Sequence, residues 1–294
     1  KTRIEAFLYC IESYKRLEDT KRTALKSTDF KALENNKINI TEAHQSKEVI
    51  LLPSMGAITD ILASLLHSEG IYAETLPKPT NDSLRFGRQY TSGKECIPMT
   101  ITAGSLLERL SRENDSDKRF AFFMPTSHGP CRFGVYNVLH KIILEKTNWG
   151  DRVRIVAPND QDYFAGMSPD FRVRAIAGYA ASDLLMAALH DVRPCEREQG
   201  ISQQIYDRYF NELIELLSSS AASSLLSALG ELPNGMFGIS ALMSRAANDF
   251  RLAKDFSKRV PTVSMVGEIY VRLEPYANNF IVKKLEERGL RVIL

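Results

Sequence analysis

The chain has 294 residues, 44% hydrophobic and 25% charged, an ordinary globular composition with room for one large domain or two smaller ones. Its 38 basic and 36 acidic residues leave a formal net charge of +2, which gives no global pull toward nucleic acid or an anionic membrane. No apolar run approaches the ~20 residues of a membrane-spanning helix, and the start, "KTRIEAFLYCIESYKRLED", lacks a signal-peptide core, so a cytoplasmic protein is expected.

Residues 1–47 are charged and free of glycine and proline, and Ile4, Phe7, Leu8, Ile11 and Tyr14 fall on one helical face. They are expected to form a helical leader or linker, with Cys10 packed beside Phe7 and Ile11. From Glu48 strand and helix signals alternate. "EVILLP" predicts a buried strand, "AITDILASLLHSEG" a helix with a glycine stop, and "IYAETLP" a second strand. A polar loop is expected next. "IPMTITAGSLLERLSREN" then predicts a helix with Pro98 in its first turn, "KRFAFFMP" a strand, "VYNVLHKIILEKTNWG" a helix and "DRVRIVAP" a strand. Strand, helix, strand with short connections implies a parallel sheet covered by helices.

Beyond residue 160 helical signals dominate before "PTVSMVGEIY", "NNFIVKKLEERG" and "RVIL" return to strand, helix, strand. The expected class is α/β, with a first lobe over 48–160 and a second over 161–294 that carries a helical insertion. The absent initiator methionine and the finish on "GLRVIL" suggest a piece of a longer polypeptide.

The four cysteines, Cys10, Cys96, Cys131 and Cys195, are too few and too scattered to staple a chain of this size, so free thiols or metal ligation are expected. Cys96, in "TSGKECIPMT", precedes a helix start. Cys131, in "TSHGPCRFG", lies between a strand end and a helix. In an open parallel sheet ligands bind beyond the carboxyl ends of the strands, so both thiols can face one crevice. The positive end of a helix favours thiolate there, which suits a nucleophile, a redox thiol or a metal ligand, with core packing as the bland alternative.

Ser54, Glu95, Ser127, His128 and Arg132 flank the same loops. Ser54 reads first as a helix cap, and His128 either as a proton donor or as a surface turn residue. No G-x-G-x-x-G or P-loop pattern occurs at these strand ends. His140 and His190 lie in amphipathic helices and read as structural, and Cys195, among charges in "VRPCERE", reads as a surface-loop residue. Glu268 follows "VSMVG" at a crevice edge and is a catalytic candidate, and Asn278 or Asn279 is expected to cap the next helix.

Three segments in order, "YTSGKECIPMTITAGSLLERL", "FFMPTSHGPCRFGVYN" and "VGEIYVRLEPYANNFIVKKLEERG", resemble the activase-related proteins of the 2-hydroxyacyl-CoA dehydratase and benzoyl-CoA reductase superfamily. The resemblance runs from about Glu48 to the end. It implies two Rossmann-like lobes with an iron-sulfur cluster, of the 4Fe-4S type, in the crevice. It also implies reduction by an ATP-dependent activase in cis or in trans, with a CoA thioester as substrate. By position, Cys96 and Cys131 match the family's ligating cysteines, with Ser54 and Arg132 as neighbours. Cys195 stands where the family pattern often has tyrosine, so the third ligand place stays open. The alternative is a non-catalytic interaction or scaffold module that keeps the fold and uses its cysteines for packing.

Overall fold

The computed structural model describes residues 37–127, 129–159, 163–168, 170–219, 230 and 235–294. The predicted leader, apart from 37–47, lies outside them, as do Cys10 and His128. Ile38–Leu294 forms one compact unit.

The unit opens with the edge strand β1 (Lys37–Ile38) and the short helix α1 (Ile40–Gln45), whose capping box pairs Asn39 with Glu42. The predicted alternation follows: β2 (Val49–Leu52), α2 (Ala57–Ser68), β3 (Ala73–Thr75), α3 (Asn81–Tyr90), α4 (Ile97–Ser111), β4 (Phe120–Phe123), α5 (Tyr136–Lys146) and β5 (Val153–Val156). Pairings β2 with β3, β2 with β4, and β4 with β5 are all parallel, with Leu51 beside Glu74 and Phe122 beside Ile155. The order β1-β5-β4-β2-β3 places the reversal of winding between β2 and β4. At such a point the crevice beyond the strand ends opens.

Strand periodicity sorts the core into two layers. Ile50, Leu52, Ala121 and Phe123 face Ile61, Leu65 and Leu66 of α2 and the later helices. Val49, Leu51, Phe120 and Phe122 face Met99, Leu106 and Leu110 of α4 and Ile143 and Leu144 of α5. Every residue of β2 and β4 is buried, as strands covered on both faces require.

The segment expected as a polar loop between β3 and α4 is instead the helix α3. Thr80 caps it, accepting from Asp82 and Ser83 N–H. Its packing is unusually close: a Cβ on Gly87 would lie 1.9 Å from the Thr100 carbonyl oxygen, and one on Gly104 would lie 1.7 Å from that of Ser83. Both glycines are therefore required by the approach of α3 to α4. With little apolar surface of its own, α3 is held by this contact.

After β5 the chain enters the helical layer, α6 (Phe171–Val192), α7 (Ile201–Ser219) and α8 (Ile239–Ala253). Arg174, fully buried on α6, joins α2, donating to Asp170 at 2.6 Å, Glu69 at 2.7 Å and the Ser68 hydroxyl at 2.6 Å. Last come β6 (Thr262–Ser264), α9 (Ile269–Leu273), α10 (Ile281–Glu286) and β7 (Arg291–Ile293). β6 and β7 pair in parallel as a separate two-stranded sheet. Asp191 of α6 accepts from Arg291, and Arg193 makes a two-pronged bond to Glu286 at 2.6 and 3.0 Å. Among the described residues no helix is long and apolar enough to cross a membrane.

Candidate functional site

The loops that follow β2 and β4 and the starts of α4 and α5 carry the candidate residues. Cys96 is the cap residue of α4, with an extended backbone and no side-chain capping bond, and Pro98 sits in the first turn. Its sulfur is thus not used by its own helix. Cys131 caps a 3-10 turn, Arg132–Val135, that leads into α5. Cys131 is exposed and Cys96 half-buried.

Local bonds shape both loops. Glu95 accepts from the Ser92 hydroxyl and the Lys94 N–H, at 3.0 and 3.1 Å, folding "TSGKEC" back on itself. The second loop closes through the Thr126 hydroxyl, which donates to the Gly134 carbonyl at 2.7 Å. A Cβ on Gly134 would stand 2.6 Å from the Ser127 carbonyl oxygen, so the turn after Cys131 requires glycine. Arg132 joins the loops, donating from Nη1 to the Lys94 carbonyl at 2.7 Å.

Tyr136, the first residue of α5, is the member of the site that sequence reasoning passed over. Its hydroxyl lies in the electrostatic neighbourhood of Cys96, Cys131 and Glu268, and burial first, then these groups with Cys96 foremost, pushes its pKa well above the ordinary tyrosine range. The signal lay in "CRFGVYN", where a tyrosine in the first turn of the helix follows Cys131 closely. Its ring meets Phe133 edge-on, with centroids 5.6 Å apart. His140, one turn on, spans to α4: Nδ1 donates to the Tyr136 carbonyl at 2.7 Å, and Nε2 lies 3.2 Å from the Thr102 hydroxyl. Burial lowers the His140 pKa to about 4, so the ring is neutral and structural.

Glu268 is brought to this neighbourhood as the cap of α9. Its two carboxylate oxygens accept from Tyr270 and Val271 N–H, at 3.0 and 2.9 Å. Ser54 does not cap α2, a position held by Gly56. Its hydroxyl donates instead to Glu274 at 3.0 Å in a buried pair, tying the end of β2 to the segment after α9. Burial raises the Glu274 pKa against weaker opposing bonds from Tyr276 N–H and Ser54. The cap position of α10 is held by Phe280, not by Asn278 or Asn279 as expected, although Asn278 accepts from Ile281 N–H at 3.2 Å.

Cys195 stands apart from this group. It is 1% exposed, not a surface-loop residue, and its thiol donates to the Asp191 carbonyl at 3.3 Å. Burial raises its pKa, and its charged neighbours are Lys254, Asp191, Arg291 and Lys258, a set disjoint from that around Tyr136. The flanking charges that suggested a surface loop turn outward to pair, while the sulfur packs inward.

Two thiols beside a phenol and a carboxylate offer soft donors at a helix start, where the dipole favours anions. They amount to half of the four thiolates a 4Fe-4S cluster takes, and among the described residues no three His, Cys, Asp or Glu converge as a metal site. A surface groove of about 510 Å³ between α7 and α8, lined by Ile201, Gln204, Arg208, Asp249 and Leu252, shares no residue with this group. No protein-family model matches the chain, and neither curated proteins nor solved structures give a match.

Proposed function

We propose that Cys96 and Cys131 hold one side of an iron-sulfur cluster in an electron-transfer component of the 2-hydroxyacyl-CoA dehydratase and benzoyl-CoA reductase type. The observation that carries this reading is the gathering of both cysteines around Tyr136 at the starts of α4 and α5. Their loops are bound together by Arg132 and Lys94. The resemblance of three ordered segments to activase-related proteins adds weight. In this reading a bound cluster supplies low-potential electron transfer, an ATP-dependent activase reduces it, and a CoA thioester is the substrate class. The remaining ligands come from outside the Cys96–Cys131 pair. β6, the helices after it and β7 form one βαβ unit, in keeping with a second Rossmann-like lobe.

On the chain's side, the α4 start and the 3-10 turn orient the two sulfurs. Arg132 fixes the spacing of their loops, and the apolar layer under Cys96 and Phe133 keeps water from the inner side.

Anaerobic purification followed by iron and sulfide analysis and EPR tests the reading. Iron and acid-labile sulfide should accompany the native chain and be lost in Cys96→Ser and Cys131→Ser. A folded native chain that takes up no iron on reconstitution would sink the idea and leave the scaffold alternative standing.

A further inference from the structure

We infer that Arg88, Lys94, Ile97, Arg132 and Val135 form a docking surface for an acidic electron-transfer protein, set around the point where Cys131 reaches solvent. All five are exposed, Ile97 at 46% and Val135 at 56% despite their aliphatic side chains. Ile97 directly follows Cys96 at the start of α4, and Val135 ends the 3-10 turn that Cys131 caps. Side chains three apart in such a turn eclipse each other, so Arg132 and Val135 point to the same side. Arg88 stands in the last turn of α3, just before the Lys94 loop. Arg132 donates to the Lys94 carbonyl at 2.7 Å, which brings the two loops into one surface.

The cations of this surface are uncompensated. Arg85, Arg109 and Arg112, also on α3 and α4, are paired with Asp82, Glu74 and Glu108, whereas Arg88, Lys94 and Arg132 make no ion pair among the described residues. The carboxylate beside Lys94, Glu95, accepts from the Ser92 hydroxyl and the Lys94 N–H and is turned into its own loop. Unpaired cations attract an acidic partner from a distance, and aliphatic side chains among them give it a patch to dry on contact, the apolar centre and charged rim of a protein interface. A nucleic acid would use the cations and leave Ile97 and Val135 in water. Two aliphatic side chains make a small dry contact, of the size class in which brief electron-transfer encounters fall. That the docked protein transfers electrons rests on the iron-sulfur reading; that it is acidic does not.

The test uses the metal-free full chain, immobilised, and an acidic plant-type ferredoxin as the probe, with binding read by biolayer interferometry. Affinity should fall about tenfold between ~0.05 and ~0.3 M salt, because screening removes the attraction of exposed charges. Arg88→Glu with Lys94→Glu reverses two charges, keeps the Lys94 carbonyl for Arg132, and should weaken binding about tenfold or more at low salt. Val135→Ser removes an apolar contact but no charge and should weaken it about three- to tenfold. If the reversed chain does not fold, Arg88→Gln with Lys94→Gln takes its place, with a loss of about threefold expected. No ferredoxin binding at low salt, or binding that the charge variants leave unchanged, overturns the inference. So does a chain that instead holds duplex DNA with an affinity indifferent to Val135→Ser. Iron plays no part in this readout: a chain that docks ferredoxin but never takes up iron sinks the cluster reading alone, and one that takes up iron but docks nothing sinks this inference alone.

Discussion

Arg132 donates to the carbonyl of Lys94, one bond that spans the loops of Cys131 and Cys96. Among the described residues it is the hydrogen bond that runs directly from one of these loops to the other, so it helps to set their separation. Because Arg132 is exposed, Arg132→Met should change global stability by less than about 1 kcal/mol. Iron retained per chain after reconstitution and desalting should nevertheless fall severalfold. Equal iron in the variant and the native chain would deny the bond any part in the site.

Gly104→Ala should be among the most damaging conservative changes. The added methyl meets the Ser83 carbonyl and the Gly87 N–H, which are backbone atoms and cannot swing aside. Overpacking of this kind costs about 1–3 kcal/mol, and separation of α3 from α4 pushes it to the upper end. Urea unfolding measures the cost.

Acid should weaken the fold through its two buried histidines. His140 and His190 both have pKa values lowered to about 4 by burial, with Arg193 adding to the effect on His190. Unfolded histidine titrates near 6.5, so between pH ~6.5 and ~4 the unfolded chain binds more protons and stability falls with pH. The loss is on the order of a few kcal/mol in all. Denaturant midpoints at a series of pH values should show it, and His140→Gln should flatten the slope.

Glu274 behaves in the opposite sense. Its folded pKa is raised, so the folded state prefers the protonated acid, and the contribution is favourable at low pH and lost as pH rises. Glu274→Gln keeps an acceptor for Ser54 and should equal or slightly exceed the native stability at neutral pH. Glu274→Ala strands the buried Ser54 hydroxyl and should cost about 1–3 kcal/mol. Thermal unfolding at neutral pH separates the two.

Cys195→Ser should destabilise the chain by about 1–2 kcal/mol without loss of iron, since it puts a more polar hydroxyl in a packed site. Parallel loss of iron and stability would place Cys195 in the cluster site after all.

The frame of the fold was legible because β2, β4 and β5 are short apolar runs separated by periodic helices, and the starts of α4 and the 3-10 turn were marked by Cys-x-Pro and Gly-Pro-Cys. Helix α3 was not, since "NDSLRFGRQY" has no continuous apolar stripe and is held by a backbone approach at glycine. Ser54 misled because a serine before a helix usually caps, and here a glutamate 220 positions later claims its hydroxyl. Cys195 misled because charge in the neighbouring sequence says nothing about where the sulfur turns. Tyr136 escaped notice because a tyrosine in an apolar helix reads as core, and only the convergence of α4 and α5 brings it into the neighbourhood of Cys96.

The attachment of β6, α9, α10 and β7 to the helical layer has a consequence for solution behaviour. Arg291 on Asp191, and Arg193 on Glu286, are partly exposed ion pairs that salt screens, whereas the β2–β5 sheet is held by buried hydrocarbon that salt does not weaken. Ionic strength therefore acts selectively on the part of the molecule that carries Glu268, and hydrogen exchange at raised salt should quicken there first while the strands beneath the two cysteines stay protected.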